Sequence, residues 1–550
     1  MSLFRRLSPV PKNRSTHVGV GEGLPQGRGP GLPPPDSGAP GPAERVAVIV
    51  VHGIGQQAPF ETLEMVAEAL RSAEARAHGM APPLTVRIAR VRGRELPRAE
   101  VRVTTAQGRP RDVHLYECYW APLTEGKVTT GEAVRFLLDS GVRGMRLCGF
   151  LKWSFDRYLF DRPITFQIPK VAFFQFLGVV AVLLSLVAIN AMMVGLLTAK
   201  TLARGIVGPP ADALVADLTV DLARGLIGIF GGVLLATWIP RLLRRRQAPA
   251  PAAGPRVIPA WAAWLAWGFM LAAFAGIVLT ALAMLAHGWA HLRGEAARLA
   301  QGPIADLFPL RGRWGLIPCL VAAATWLGAA VVNLGVRRFL LQYAGDVAAY
   351  VSAHTVSKFS EVRAAIQARA LEVFDAVYHA RDDAGRGFAY PDVVVAGHSL
   401  GSLVAYDALD QLLVREGAEA PAAPAPGADL PGVADRTRMF LTFGSPLDKT
   451  AFIFRAQHLR PAGAREALAA ARQPMILDYR LRPERWVNLR SPHDWISGTL
   501  EYYDDRDQVE SRRKWVENRT DPEAVTPLAA HNEYWQGRML ADTLHEAVGG

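Results

Sequence analysis

The sequence is poor in cysteine, with only Cys118, Cys148 and Cys319 among 550 residues. An odd number of cysteines at wide spacings excludes a disulfide framework and a cysteine-rich zinc site. The chain also lacks a glycine-rich phosphate-binding loop and a recognisable metal-ligand spacing. We therefore expect neither a cofactor nor a metal ion.

Acidic residues are scarce in about one third of the chain. Residues 151–345 contain 18 Lys and Arg against 7 Asp and Glu, whereas the other residues hold 43 of each sign. The whole formal charge of +11 therefore lies in the most apolar part of the sequence. Basic groups beside long apolar runs are typical of membrane flanks. This placement argues against a nucleic-acid-binding protein.

Four long apolar runs lie in the same region, and the only charged residue within them is Arg224 in the second run. They predict membrane-spanning helices at about 171–198, 222–239, 257–286 and 315–336, since about 20 apolar residues cross the hydrocarbon core of a bilayer. The second run is the weakest, and buried core helices are the alternative for each. Almost no ionisable side chain lies within the runs, which argues against a transporter.

The basic residues also predict an orientation. The spacer Pro240–Arg256 contains five Arg and no acidic residue. With four spans it lies on the same side as both termini, and the positive-inside rule places that side in the cytoplasm. We therefore expect an integral protein of a bacterial inner membrane, with both termini and the remaining folded parts in the cytoplasm.

The rest of the sequence divides around this membrane block at 151–345. Residues 1–44 are rich in Pro and Gly, which predicts a disordered tail. Residues 45–150 and 346–550 carry alternating strand and helix patterns. These patterns are typical of α/β proteins, and they predict the N-terminal and C-terminal parts of one domain.

Two short β-branched runs end in glycine-containing turns. Residues 46–51 (VAVIVV) lead into HGIG, and residues 392–396 (DVVVA) lead into GHSLG, which an apolar helical pattern follows. A G-x-S-x-G sequence between a buried strand and a helix makes a sharp turn that exposes the serine hydroxyl above the sheet. Ser399 is therefore a candidate nucleophile.

Together with LTFGSP at 441–446 and AAHNEYW at 529–535, these motifs resemble the α/β-hydrolase superfamily, specifically its lipase- and esterase-like members. The resemblance covers about 45–150 and 346–550 and does not include the membrane block. It implies a mostly parallel sheet with flanking helices, and a catalytic serine, acid and histidine in that order along the chain. The serine needs a base to take its proton, and the base needs a carboxylate to orient it.

Ser399, Asp494 and His531 fit that order as nucleophile, acid and base. Asp494 follows a strand-like segment, RWVNLR, and His531 precedes a closing helical segment. Asp448, which follows the strand-like MFLTF, is the alternative acid. Three further histidines compete for the role of the base, namely His398, His458 and His493.

Ester cleavage also needs hydrogen-bond donors where the oxyanion develops. The resemblance assigns this oxyanion hole to the backbone N–H groups of Ile54 and Leu400. His52 is expected to order the HGIG turn. The other residues that support the two turns are Gly53, Gly397 and Gly401.

The membrane block separates two halves of one predicted sheet, so both halves must lie on one side of the membrane. Active sites of parallel sheets lie at the carboxyl ends of the strands, and the block leaves from such an end. We therefore expect the catalytic edge to face the lipid bilayer. The expected activity is a membrane-anchored serine hydrolase that cleaves carboxylic esters of a lipid or another amphipathic molecule, without nucleic acid as a partner. The alternatives are a thioesterase or amidase acting on acylated proteins or lipids, and a catalytically idle scaffold.

Overall fold

The computed structural model describes the chain in several ranges. These are 44–54, 57–125, 259–292, 357–382, 387–419, 431–449, 478–504, 509–526 and 529–549, together with single residues and shorter pieces elsewhere. The predicted tail at 1–44 lies outside the described residues except for Glu44. So do the predicted span at 315–336 and most of the span at 171–198.

A mostly parallel sheet of eight strands organises the fold. Its order is β10-β9-β8-β7-β1-β4-β3-β2, with the β4-β3-β2 end antiparallel and every other pair parallel. Strands β5 and β6 form a separate two-stranded sheet. The strands are β1 Glu44–Val51, β2 Leu84–Val91, β3 Arg94–Thr104, β4 Pro110–Cys118, β5 Ser154–Phe155, β6 Phe166–Gln167, β7 Asp392–His398, β8 Thr437–Phe443, β9 Arg485–Arg490 and β10 Val516–Thr520.

Helices on both faces of the sheet and an apolar helix, α2, are numbered α1 to α7 here. They are α1 Glu61–His78, α2 Ala260–Leu292, α3 Ser357–Tyr378, α4 Leu400–Glu419, α5 Val433–Arg436, α6 Ala530–Glu533 and α7 Arg538–Gly549. Short 3₁₀ turns lie at Ala121–Leu123, Tyr479–Leu481, Glu501–Tyr503, Val509–Lys514 and Tyr534–Gln536. The predicted α/β class is confirmed by this combination of a mostly parallel sheet and helices.

Strand β1 lies in the middle of the sheet, and both of its faces are buried. Val46, Val48 and Val50 pack with α1 and α7 in one apolar cluster. Ala47, Ile49 and Val51 pack with α3 and α4 in the other. A strand covered on both faces needs a continuous apolar run rather than an alternating one, which explains the VAVIVV sequence.

The sheet contains strands from both sides of the apolar region at 151–345 in the sequence. Strand β1 pairs with β4 on one side and with β7 on the other, both in parallel. The carboxyl ends of β1, β4 and β7 therefore meet at one edge. Strand β4 ends at this edge, which is also where the turn that carries Ser399 lies.

Helix α2 is the one helix among the described residues that is long and apolar enough to cross a membrane, over Trp261–Leu282. A shorter apolar helix lies at Ile227–Pro240 and overlaps the second predicted span at 222–239. One side of α2 is buried in the protein, with Ala262, Ala266 and Met270 fully covered. The other side is exposed, and Trp264 is 73% accessible there.

Candidate active site

The turn between β7 and α4 holds Ser399 in an unusual backbone conformation. Its φ is 52°, a region that side chains other than glycine rarely adopt. The Ser399 amide donates to the carbonyl of Phe443 in β8 at 3.0 Å, and the Ser402 amide donates to the carbonyl of Ser399 at 3.0 Å. These two bonds hold the strained turn that G-x-S-x-G predicts, with the serine at the edge of the sheet.

Gly397 and Gly401, on either side of this turn, lie so close to neighbouring backbone atoms that a side chain would not fit. A Cβ added to Gly397 would lie only 2.5 Å from the Cα of Ser402. A Cβ on Gly401 would collide with the carbonyl groups of Val51 and His52. Strand β7, helix α4 and the end of β1 can therefore meet only if both positions lack side chains.

Ser399, His531 and Asp494 form a continuous hydrogen-bonded series. The Nε2 atom of His531 lies 2.8 Å from Oγ of Ser399, and its Nδ1 atom lies 3.0 Å from Oδ2 of Asp494. An ionised carboxylate can only accept, so the ring proton lies on Nδ1. Nε2 is then free to accept the hydroxyl proton of Ser399, which is the arrangement that a general base needs.

The carboxylate of Asp494 is almost fully enclosed, at 3% exposure. It accepts hydrogen bonds from the amide of Ile496 at 2.9 Å and the hydroxyl of Tyr534 at 3.1 Å. Burial by itself raises the pKa of this carboxyl. The charge and hydrogen bond of His531 and the hydrogen bond from the amide of Ile496 outweigh burial, so the pKa is lowered from 3.8 to about 2. Asp494 is therefore ionised at neutral pH and holds the His531 ring.

Asp448, the alternative acid, is placed elsewhere. Its carboxylate pairs with the ammonium group of Lys449 at 2.9 Å, and Lys449 also donates to the carbonyl of Ser497 at 3.2 Å. Burial raises the pKa of Asp448 above its ordinary value. Both ring nitrogens of His531 already bind Ser399 and Asp494, so Asp448 has no place in this series.

Two of the three competing histidines are described, and neither contacts Ser399 through a ring nitrogen bond. His398 donates from Nε2 to the backbone carbonyl of His531 at 2.9 Å. Burial, together with the nearby His531, lowers the pKa of His398 to about 3, so this donor stays neutral. His493 stacks on Trp267 at 5.8 Å between ring centroids. His458 lies outside the described residues.

The two proposed oxyanion donors flank the serine. Leu400 is the first residue of α4, so its amide has no partner within the helix. Ile54 follows Gly53, where an added Cβ would lie 2.8 Å from the Cβ of Ser399. The HGIG turn thus abuts the nucleophile, although Gly55 lies outside the described residues.

His52 fastens the HGIG turn to the end of β4. Its Nδ1 donates to the carbonyl of Gly53 at 2.8 Å, and its Nε2 accepts the amide proton of Trp120 at 3.0 Å. The indole N–H of Trp120 in turn donates a hydrogen bond to the carbonyl of His52 at 3.1 Å. Burial lowers the pKa of His52 to about 4, which keeps the ring neutral, as the accepting role of Nε2 requires.

The loop that carries Asp494 packs against helix α2. Trp495 stacks on Trp267, with 5.1 Å between ring centroids, and meets Phe274 edge-on at 5.1 Å. The residues on both sides of Asp494, His493 and Trp495, therefore contact the apolar helix. Sequence reasoning did not find this contact, although the adjacency of Trp495 to the candidate acid was a signal for it.

Tyr534 was also missed. It follows His531 by three residues, and one helical turn brings its hydroxyl back to Asp494. The AAHNEYW segment therefore supplies both the base and a second donor to the acid.

No family model, curated protein or solved structure matches this chain.

Proposed function

We propose that this protein is a membrane-anchored serine hydrolase of the α/β-hydrolase type that cleaves carboxylic esters of lipids. The observation that carries the proposal is the unbroken series from Asp494 through His531 to Ser399, with separations of 3.0 and 2.8 Å. A serine hydroxyl, an imidazole and a buried carboxylate in this order are the parts that acyl transfer requires.

The geometry supports a two-step reaction. His531 Nε2 takes the proton of Ser399 while Oγ attacks the ester carbonyl carbon, and the backbone N–H groups of Ile54 and Leu400 stabilise the oxyanion. His531 then gives its proton to the departing alcohol, which leaves an acyl group on Ser399. Water, activated by the same imidazole, releases the acid and restores the serine.

Asp494 keeps the imidazole in the tautomer that this cycle needs. Because its pKa is lowered to about 2, it remains ionised and stabilises the imidazolium formed when His531 takes the proton. His398, which donates to the carbonyl of His531, holds the backbone of the base in place. Its low pKa prevents a second positive charge from forming beside the imidazolium.

The membrane is proposed as partner because the catalytic edge and the apolar helix meet. The chain leaves the sheet toward the membrane block from the end of β4, at the edge where Ser399 lies. Helix α2 contacts the residues on both sides of Asp494. An active site so close to an apolar helix favours a substrate that reaches it from a bilayer, namely a lipid or other amphipathic acyl ester. The four-span block and the cytoplasmic orientation in an inner membrane belong to this proposal.

Labelling with a fluorophosphonate probe tests the activity directly. Membranes that contain the full-length protein should react with the probe, and Ser399→Ala should abolish the labelled band. Ser72→Ala, which replaces an exposed serine on α1, is the control and should retain labelling. Persistent labelling of Ser399→Ala would refute the assignment, and an unlabelled wild type would favour the idle scaffold.

Substrate and topology need separate measurements. Hydrolysis should be fastest with esters, and a preference for thioesters or amides would favour the thioesterase or amidase alternative. A membrane-impermeant probe should label Ser399 in inside-out vesicles and leave right-side-out vesicles unlabelled. The reverse pattern would overturn the proposed orientation.

A further inference from the structure

A second cluster of titratable side chains lies near the edge of the sheet that is opposite Ser399. Glu74 and His78 lie one turn apart on α1, and His545 lies on α7. One ligand atom from each residue lies within 4.8 Å of the other two. Glu74 Oε1 is 3.0 Å from His78 Nδ1, and Glu74 Oε2 is 2.7 Å from His545 Nε2.

The protein fixes the carboxylate at the centre of this cluster. Glu74 is only 4% exposed, and its Oε1 accepts the backbone amide of Thr104 at 3.0 Å. The two imidazoles are more accessible, with side-chain exposures of 41% for His78 and 20% for His545. A buried, hydrogen-bonded carboxylate beside two partly open imidazoles combines an oriented ligand with an entry path from solvent.

We propose that Glu74, His78 and His545 bind a divalent transition-metal ion, with Zn²⁺ as the best-fitting candidate. Two imidazole nitrogens and one carboxylate oxygen suit Zn²⁺ and Co²⁺ rather than Mg²⁺ or Ca²⁺, which prefer oxygen ligands. Tetrahedral zinc with ligands at about 2.0–2.2 Å places ligand atoms a little over 3 Å apart. Each histidine coordinates through the nitrogen that now faces Glu74, and its proton then lies on the other ring nitrogen.

The position of the cluster indicates a structural ion rather than a catalytic one. Thr104, which holds Glu74, pairs with Pro110 at the start of β4. Strand β4 runs parallel to β1 and β7, so its start lies at the edge opposite Ser399. A metal ion there ties the last turn of α1 to α7 without touching the ester-cleaving site.

A metal ion bound there would connect segments that are distant in the sequence. Helix α1 follows the HGIG turn, and α7 follows the segment that carries His531. Both helices pack on the same face of the sheet. A link between residues 78 and 545 closes a long loop in the unfolded chain, and its ligands come together only after folding, so binding favours the folded state.

Metal titration of the full-length protein tests the proposal. Detergent-purified protein without a polyhistidine tag is stripped with a chelator and titrated with Zn²⁺ alone, then with Co²⁺ alone. We expect one metal ion to bind per protein molecule in a saturable way. Bound Co²⁺ should show the visible absorption bands of a low-symmetry site, and bound metal should raise the thermal midpoint of unfolding. Chelation should lower that midpoint while probe labelling of Ser399 persists below it.

Variants identify the ligands. Since His78 is largely exposed, His78→Ala should fold and should weaken Zn²⁺ binding at least about tenfold, because even outer partners of ligands are worth that much. The matched control is His379→Ala, directly after α3, which breaks a similar one-turn pair with Asp375 at 3.1 Å. It should bind Zn²⁺ as the wild type does. Absence of saturable binding, or equal affinities of wild type and His78→Ala, would reduce the cluster to ordinary ion pairs.

Discussion

The indole rings of Trp267 and Trp495 stack 5.1 Å apart, with their planes inclined by 15°. This contact joins the apolar helix α2 to the loop that holds Asp494. Residue 495 follows the acid directly, so a shift of the helix changes the surroundings of the carboxylate. The pair therefore links the apolar helix α2 with the candidate catalytic site.

Trp495→Ala should lower the rate of ester cleavage more than it lowers stability. Removing the ring frees the loop around Asp494, and a displacement of about 1 Å in a catalytic group costs roughly 100-fold in rate. We expect kcat to fall by about 10- to 100-fold with little change in KM. Steady-state kinetics in detergent micelles measure both parameters.

The matched control is Trp264→Ala, which removes an indole from the same helix where it is 73% exposed. It should leave kcat within about twofold of the wild type, since surface changes are usually small. Equal losses in both variants would show that α2 affects the protein generally rather than through the acid loop.

Asp494→Asn should abolish most activity, whereas Asp448→Asn should not. The amide cannot stabilise the imidazolium and favours the wrong tautomer of His531, which costs about 10⁴-fold in kcat in comparable triads. Asp448 contacts Lys449 instead, so its replacement is expected to change stability and to leave kcat close to that of the wild type. Kinetics and chemical denaturation of both variants separate the two effects. Comparable activity losses would contradict the assignment of Asp494 as the acid.

The two carboxyls illustrate what could be predicted from sequence and what could not. Ser399 was recognisable because its turn is encoded locally, by a β-branched strand, two glycines and an apolar helix. Asp494 and Asp448 each follow a strand at the same edge of the sheet, so chain order could not separate them. The choice depends on which oxygen meets Nδ1 of His531, which is a tertiary distance. The contact of Trp267 with Trp495 joins residues far apart in the chain, and no local pattern predicts it.

Lowering the pH should change the contributions of Asp494 and Asp448 to folding stability in opposite directions. The folded pKa of Asp494, about 2, lies below the ordinary 3.8, so its stabilisation is present above pH 3.8 and is lost as the pH falls through about 2. A shift of this size is worth on the order of 2 kcal/mol. The stability advantage of the wild type over Asp494→Asn should therefore shrink as the pH falls from about 5 to about 2.

The folded pKa of Asp448 is raised by burial, so its protonation in acid favours the folded state. The stability of the wild type relative to Asp448→Asn should therefore rise as the pH falls toward 3.8 and should level off below it. Thermal midpoints of the three proteins in matched detergent buffers provide the comparison. Parallel trends in both variants would contradict the opposite pKa shifts.

Gly397→Ala should destabilise the protein strongly, while Gly417→Ala should stabilise it slightly. The new Cβ at 397 would lie 2.5 Å from the Cα of Ser402, and both groups belong to backbone that cannot rotate away. Overpacking of this kind costs about 1–3 kcal/mol and should displace Ser399. Gly417 lies in α4 with no atom within 4 Å of an added Cβ. Alanine there gains roughly 0.5–1 kcal/mol from helix propensity and lower entropy of the unfolded chain. Denaturant unfolding should therefore move in opposite directions for the two variants, and probe labelling should decrease only for Gly397→Ala, because only that substitution disturbs the turn that presents the serine.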